Sequence, residues 1–105
     1  MKIVKKDQRK EFKNSDCCLA YEYPAVIKLS GRYPDKGWAA NEVCKEMGYI
    51  ISGSGKLAVE DKEYEIGAGD LVLINPGEKF YWQGNMEIFM PCAPAWSPDQ
   101  YKTVK

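Results

Sequence analysis

Apolar and polar residues alternate along much of the chain. In residues 56–60, Leu57 and Val59 stand between lysine, alanine and glutamate, and residues 63–66 and 86–92 alternate in the same way. Successive side chains of a strand point to opposite faces, so this period of two predicts strands with one buried face. The pattern therefore predicts an all-β fold.

Turn residues interrupt this pattern about every ten positions. The predicted strands cover 18–23, 25–33, 38–46, 48–55 (with a turn at its end), 56–60, 63–66, 71–75, 80–83 and 86–92. The predicted turns are 32–37, a two-residue hairpin loop at Asp61-Lys62, Pro76-Gly77 and Gly84-Asn85. Many short strands at this spacing indicate a sandwich or a barrel.

The C-terminal segment has a different signature. Ser97 is a favourable helix N-cap, Pro98 suits the first helical position, and Gln100 completes a capping box. We expect one short helical turn there, covering an end of the barrel.

The predicted strand 38–46 has two unusual faces. Glu42, Cys44 and Glu46 share one face, and Val43 lies on the other. Either this is an edge strand with its carboxylates in water and Val43 in the core, or the acids and the thiol point into a barrel cavity. The sequence leaves both interpretations open.

Length, charge and the N-terminus narrow the class of protein. A chain of 105 residues predicts a single domain, 1–105. Fifteen basic residues balance fifteen acidic ones, so we expect neither a nucleic acid nor a membrane as partner. The charged N-terminus lacks the apolar core of a signal peptide, so we expect a cytoplasmic protein.

The chain contains no histidine. This excludes imidazole as a general base, as a partner of a nucleophile and as a metal ligand. No Cys-x-x-Cys pair occurs among Cys17, Cys18, Cys44 and Cys92, so a structural zinc site is not expected and all four are predicted to be reduced thiols. We expect no metal and no cofactor.

The segment GAGDLVLINPGEKF, residues 67–80, carries a family resemblance. Gly69, the five residues after it, and the Pro76-Gly77 turn follow the second motif of the cupin superfamily, apart from Asn75 in a proline position. The histidine that ends this motif is replaced by Phe80. Residues 38–92 resemble a small cupin, which implies a double-stranded β-helix, or jelly-roll barrel.

The first cupin motif is only half present. Glu46 and Gly53 match its second half, whereas its two histidine positions hold Ala40 and Glu42, or Ala39 and Asn41, depending on the spacing. The resemblance therefore implies N-terminal strands in 1–37, the cupin motifs in 38–92 and a tail in 93–105, without the family's metal site. It also implies a homodimer.

Eight residues are candidates for a ligand pocket inside such a barrel. They are Glu42, Cys44, Glu46, Tyr49, Tyr64, Phe80, Trp82 and Cys92. Phe80 and Trp82 would form an aromatic wall for a planar or sugar-like ligand, with Glu46 fixing its orientation. The same aromatic side chains could instead fill a small barrel completely.

Three functions remain open from the sequence. The first is a metal-independent module that binds a small molecule of unknown identity. The second is a small isomerase or lyase that uses Glu46 or Glu42 as acid or base. The third is a filled barrel that serves as a dimerisation or scaffold unit.

Overall fold

Ten antiparallel strands make up most of the described chain. A computed structural model describes residues 5, 11–15, 18–21, 25–93 and 98–104. The strands are β1 (Glu11–Ser15), β2 (Cys18–Tyr21), β3 (Ala25–Tyr33), β4 (Trp38–Asn41), β5 (Lys45–Val59), β6 (Lys62–Gly67), β7 (Leu71–Ile74), β8 (Phe80–Met90), β9 (Cys92–Ala93) and β10 (Tyr101–Val104). The predicted all-β fold is confirmed.

The two long strands organise the barrel. β8 pairs with β3, β4 and β5, and β5 pairs in addition with β6, β7 and β9. Because residues 45–49 of β5 pair with β7 and β9 and residues 54–59 pair with β6, this strand belongs to both layers of the jelly roll. The double-layered barrel expected from the sequence is confirmed.

Neither long strand stops at the turn that its glycines predict. β5 continues through residues 53–55 and β8 through Gly84-Asn85. Gly31, Gly84 and Gly55 lie in register on three neighbouring strands. A Cβ atom at Gly84 would lie 2.6 Å from the Cα atom of Gly55, so two backbones approach too closely there for any side chain. The glycines mark this close approach rather than turns.

The predicted strand 38–46 is broken in the middle. β4 ends at Asn41, the chain bends at residues 42–43, and β5 begins at Lys45. The Gln100 carbonyl accepts a hydrogen bond from the Glu42 amide. Because of this break, the side-chain alternation predicted for residues 38–46 does not extend through the segment. Val43 is 57% exposed rather than part of the core.

The hairpin between β5 and β6 turns one residue earlier than predicted. Val59 pairs with Lys62, so the loop is Glu60–Asp61. Both loop residues have positive φ angles, 46° and 70°, which match the right-handed twist of the strands. The prediction of Asp61-Lys62 was wrong because a two-residue loop of this kind needs the left-handed conformation at both positions.

A short helical segment precedes the last strand, as predicted. Residues Pro98–Gln100 form a 3-10 helix, which leads directly into β10. Ser97, the predicted cap, lies outside the described residues. Within the described part of the chain, no helix has the length and hydropathy required to cross a membrane.

The core lies between the two layers of the barrel. Its buried side chains come mainly from β5 and β8, in the alternation that the sequence predicts: Leu29, Ala39, Ile50, Leu57, Ile66, Ile74, Phe80, Trp82, Met86, Ile88 and Met90. The Trp82 ring crosses the interior, and its Cη2 atom would lie 3.3 Å from a Cβ atom at Gly48. Gly48 therefore leaves the space that the indole fills.

Candidate functional site

Glu46 is a carboxylate inside the barrel. It lies opposite Ile74 on β7 and Cys92 on β9, on the face of β5 that Gly48 and Ile50 continue. The residue is half-buried. Because the chain is not a strand between Asn41 and Lys45, the side-chain alternation of β5 does not continue that of β4. Glu46 can therefore face inward whatever the orientation of the β4 side chains.

Asn41, at the end of β4, holds this carboxylate in place. Its Nδ2 atom donates a hydrogen bond of 2.9 Å to Glu46 Oε2. Asn41 is itself buried, and its carbonyl accepts a hydrogen bond from Gly77 in the loop after β7. Among the described residues, Glu46 Oε1 has no hydrogen-bond partner, so one oxygen remains able to accept a hydrogen bond or carry a proton.

The environment of Glu46 favours its neutral form. Burial raises the pKa of Glu46 to about 7, and the hydrogen bond from Asn41 opposes part of this rise. Neutral and ionised carboxyl groups are therefore both populated near pH 7. A general acid or base at neutral pH requires such a balance.

Two thiols lie beside Glu46. The thiols of Cys44 and Cys92 interact with each other, and both cysteines are free. Burial raises the pKa of each thiol, and the Glu46 carboxylate raises it further. Both groups therefore stay protonated at neutral pH, which disfavours their use as nucleophiles.

The expected aromatic wall lies in the interior. Phe80 is opposite Ala39 and Val59, and Trp82 is opposite Leu57 and Tyr33. Phe80 and Trp82 are both almost fully buried. They pack into the core instead of lining an open surface.

Three of the eight predicted pocket residues are not inside the barrel. Glu42 is exposed and forms an ion pair with Lys102, because the chain bends after β4. Tyr49 is exposed on the outer face of β5, where parity with Glu46 excludes an inward position. Tyr64 is on the inner face opposite Leu57, but half of its surface is exposed because β6 pairs only with β5 among the described strands.

The expected interior positions of Glu42, Tyr49 and Tyr64 are therefore corrected. The structure brings together Cys44, Glu46 and Cys92, with Phe80 and Trp82 in the adjoining core.

Two residues of this region were not among the candidates. Asn41 occupies one of the alternative histidine positions of the first cupin motif, and this position is the sequence feature that could have identified it as a site residue. Gln100 is buried, and its Oε1 atom accepts hydrogen bonds from the amides of Cys44 (2.8 Å) and Val43 (3.3 Å). No local pattern identifies Gln100, because its partners lie 56 and 57 residues away in the sequence.

The donor set does not fit the metal ion of typical cupins. Phe80 fills a ligand position with an apolar ring. Nowhere in the described ranges do three or more cysteine, aspartate or glutamate side chains form a group that could hold a metal ion. The polar groups that remain at the site, Asn41 and Glu46, bind each other.

Comparisons with solved structures support the fold. A structure of the nucleoside dehydratase Pac13 matches with a TM-score of 0.89 at 18% identity, covering 100% of this chain and 92% of that chain. A variant of Pac13 from Streptomyces with uridine matches with a TM-score of 0.83 at 21% identity, covering 98% and 90%. Oxalate decarboxylase from Lactobacillus farciminis, in its formate complex, matches with a TM-score of 0.71 at 14% identity, covering 93% and 34%.

At these identities the structural likeness shows the fold alone. No curated protein matches the chain. The family model of the cupin domain matches residues 31–88, which is more than half of the chain. The matched range contains Asn41, Cys44, Glu46, Phe80 and Trp82. The chain belongs to the cupin family.

Proposed function

We propose that this protein binds a small hydroxylated organic molecule at Glu46 without a metal ion. The observation that carries the proposal is the half-buried carboxyl group with one oxygen fixed by Asn41 and the other available. A hydroxyl or N–H group of a ligand would satisfy that oxygen, and a buried polar group gains from such a partner.

The fold comparisons supply a first probe. Pac13 is a nucleoside dehydratase, and the structure of one of its variants is with uridine. Uridine carries hydroxyl and N–H groups, either of which could donate a hydrogen bond to the free oxygen of Glu46. We therefore propose a nucleoside-like ligand as the class to test first.

Calorimetric titration with uridine tests this function. We expect saturable binding to the parent and at least about tenfold weaker binding to Glu46→Gln, which has the same shape but cannot ionise. Glu42→Gln is the matched control, since its carboxylate is exposed, and should bind as the parent does. Equal affinity of the parent and Glu46→Gln would refute the assignment of the site.

A lyase activity is the second candidate, favoured by the pKa of Glu46 near 7. In a dehydration, an ionised Glu46 would accept the proton from carbon and, once neutral, would donate it to the departing hydroxyl group. A C–H and a C–O bond break, a carbon–carbon double bond forms and water leaves. Turnover would follow the titration of Glu46, and an activity that persists in Glu46→Gln would exclude this role.

A packed scaffold barrel is the third candidate, favoured by the fit of Trp82 over Gly48. It predicts no saturable binding of uridine or of related nucleosides and sugars. The same titration therefore separates it from the first two candidates.

A further inference from the structure

Two cysteines that the proposed function does not use meet beside the start of β5. Their thiols interact with each other, and both are free. Cys92, on β9, lies opposite Glu46, and Cys44 precedes Glu46 by two residues. Cys44 and Cys92 are therefore diagonal neighbours across the β5–β9 pair of strands.

The fold holds both sulfur atoms in place without help from a ligand. The Gln100 Oε1 atom accepts a buried hydrogen bond of 2.8 Å from the Cys44 amide, which fixes the backbone just before β5. Cys92 is fixed by the pairing of β9 with β5. Cys44 is almost fully buried and Cys92 is half-buried, so one donor is shielded and the other is accessible from solvent. The two thiols thus form a preorganised pair with a route of entry at Cys92.

The diagonal arrangement suits a bridging cation better than a disulfide. Diagonal neighbours in an antiparallel ladder have Cα atoms about 7–8 Å apart. A relaxed disulfide usually joins Cα atoms about 4.4–6.8 Å apart. A cation between the two sulfurs makes a longer bridge, so it can join this pair without a shift of either strand.

The number and type of donors select the cation. The chain has no histidine, so no imidazole can complete the site. Across the described ranges, no three cysteine or acidic side chains form a group that could hold a metal ion, so the pair offers two sulfur donors and no more. Structural zinc sites need four ligands. Cu(I) prefers soft thiolate ligands and is stable with only two of them.

We propose that Cys44 and Cys92 form a two-coordinate binding site for Cu(I). On binding, two S–H bonds break, two Cu–S bonds form, and both protons pass to the solvent; no electron is transferred. This site is separate from the ligand contact proposed for Glu46, and it takes up an offered cation that the fold itself does not require.

Anaerobic titration of Cu(I) against a coloured Cu(I) chelator tests the proposal. The reference protein is untagged and carries Cys17→Ser and Cys18→Ser, which removes the two adjacent thiols outside the pair. We expect the reference protein to bind one Cu(I) per chain. Adding Cys44→Ala or Cys92→Ala should weaken binding at least about 100-fold, because one thiol alone cannot hold the cation.

Glu42→Gln is the control in the same protein. It changes an exposed carboxylate two residues before Cys44, and it should leave the affinity for Cu(I) unchanged. No uptake of Cu(I) by the reference protein, or equal affinity in the two alanine variants, would overturn the site. Zn(II) bound as tightly as Cu(I) would also overturn it, because two donors do not satisfy Zn(II).

X-ray absorption at the copper edge decides the proposal even if an alanine variant fails to fold. The loaded reference protein, with its fold checked by circular dichroism, should show two sulfur neighbours of copper and no nitrogen or oxygen neighbour. A spectrum with one sulfur, or with oxygen or nitrogen ligands, would refute the two-thiolate site. None of these readouts involves uridine, so a failure here is distinct from a failure of the proposed function.

Discussion

At the scale of single residues, the raised pKa of Glu46 follows from the burial of its side chain and not from the residue type. The family motif placed Glu46 in the interior, and that position could be predicted from the sequence. Its partner Asn41 could not, because the hydrogen bond depends on the break between β4 and β5. Glu42 has the same side chain as Glu46, but it is exposed and remains outside the site.

The stability of the protein should fall as pH rises toward neutrality. The pKa of Glu46 rises from an ordinary 4.5 to about 7 on folding, so the folded state binds the proton more tightly. Its contribution is complete below pH 4.5 and is lost as pH increases through 7. The free energy of unfolding should decrease by as much as about 3 kcal/mol across this window.

Urea unfolding between pH 5 and 8 measures this effect. In Glu46→Gln the decrease should be absent, because the amide does not titrate while its oxygen still accepts from Asn41. Glu42→Gln should keep the pH profile of the parent. A profile unchanged by Glu46→Gln would place the titrating group elsewhere.

At the scale of elements, the regular parts of the strands were easier to predict than the positions where a strand is interrupted. The bounds predicted for β3 from its β-branched and aromatic residues, 25–33, are those of the structure. The predicted strand 38–46 failed, because its interruption depends on Gln100, far away in the sequence. Local pattern contains no information about such a partner.

Gln100 should stabilise the bend between β4 and β5. Replacing it by methionine keeps the length of the side chain but removes the acceptor for two amides, of which that of Cys44 is buried. We expect Gln100→Met to lower the free energy of unfolding by about 1–3 kcal/mol. Thermal and urea unfolding measure this change.

Lys102→Met on β10 is the control for that substitution. It removes only an exposed ion pair with Glu42, and it should cost less than about 1 kcal/mol. Equal losses in the two variants would show that the hydrogen bonds of Gln100 contribute little.

The β5–β6 hairpin loop offers a stabilising substitution. Asp61 has a φ angle of 70°, a conformation in which glycine has no steric penalty. We expect Asp61→Gly to raise the free energy of unfolding by about 0.5–1 kcal/mol, the relief of strain exceeding the added freedom of the unfolded chain. Glu65→Gly, in the middle of β6, should have the opposite sign. A loss of stability in Asp61→Gly would mean that its side chain has a stabilising contact.

At the scale of the whole molecule, the fold was predictable because the glycines of the second cupin motif, Gly69 and Gly77, lie in turns of the barrel. Gly69 and Gly77 both have positive φ angles, so the motif glycines occupy positions that favour glycine. The proximity of exposed apolar residues on β5 and β7, such as Tyr49 and Leu71, was not predicted, because alternation within one strand does not show which strands pair.

Removing metal ions should leave the molecule unchanged. The chain has no histidine, and the described residues do not group three acidic or cysteine side chains for a metal. Untagged protein dialysed against a chelator should keep its melting temperature, measured by circular dichroism. A decrease that added zinc or nickel reverses would reveal a site that uses other residues.

The three glycines in register, Gly31, Gly84 and Gly55, have a consequence for sequence variation. Intolerance to substitution should run across the sheet, perpendicular to the chain, and join positions far apart in the sequence. In a library of all single substitutions, even alanine should be depleted at Gly55, where a Cβ atom would lie 2.2 Å from the Gln83 carbonyl oxygen. Alanine at Gly67 would meet no atom closer than 3.7 Å and should survive. In a mutational scan, the positions that tolerate no side chain would thus form a line across the sheet, where neighbouring backbones approach closely.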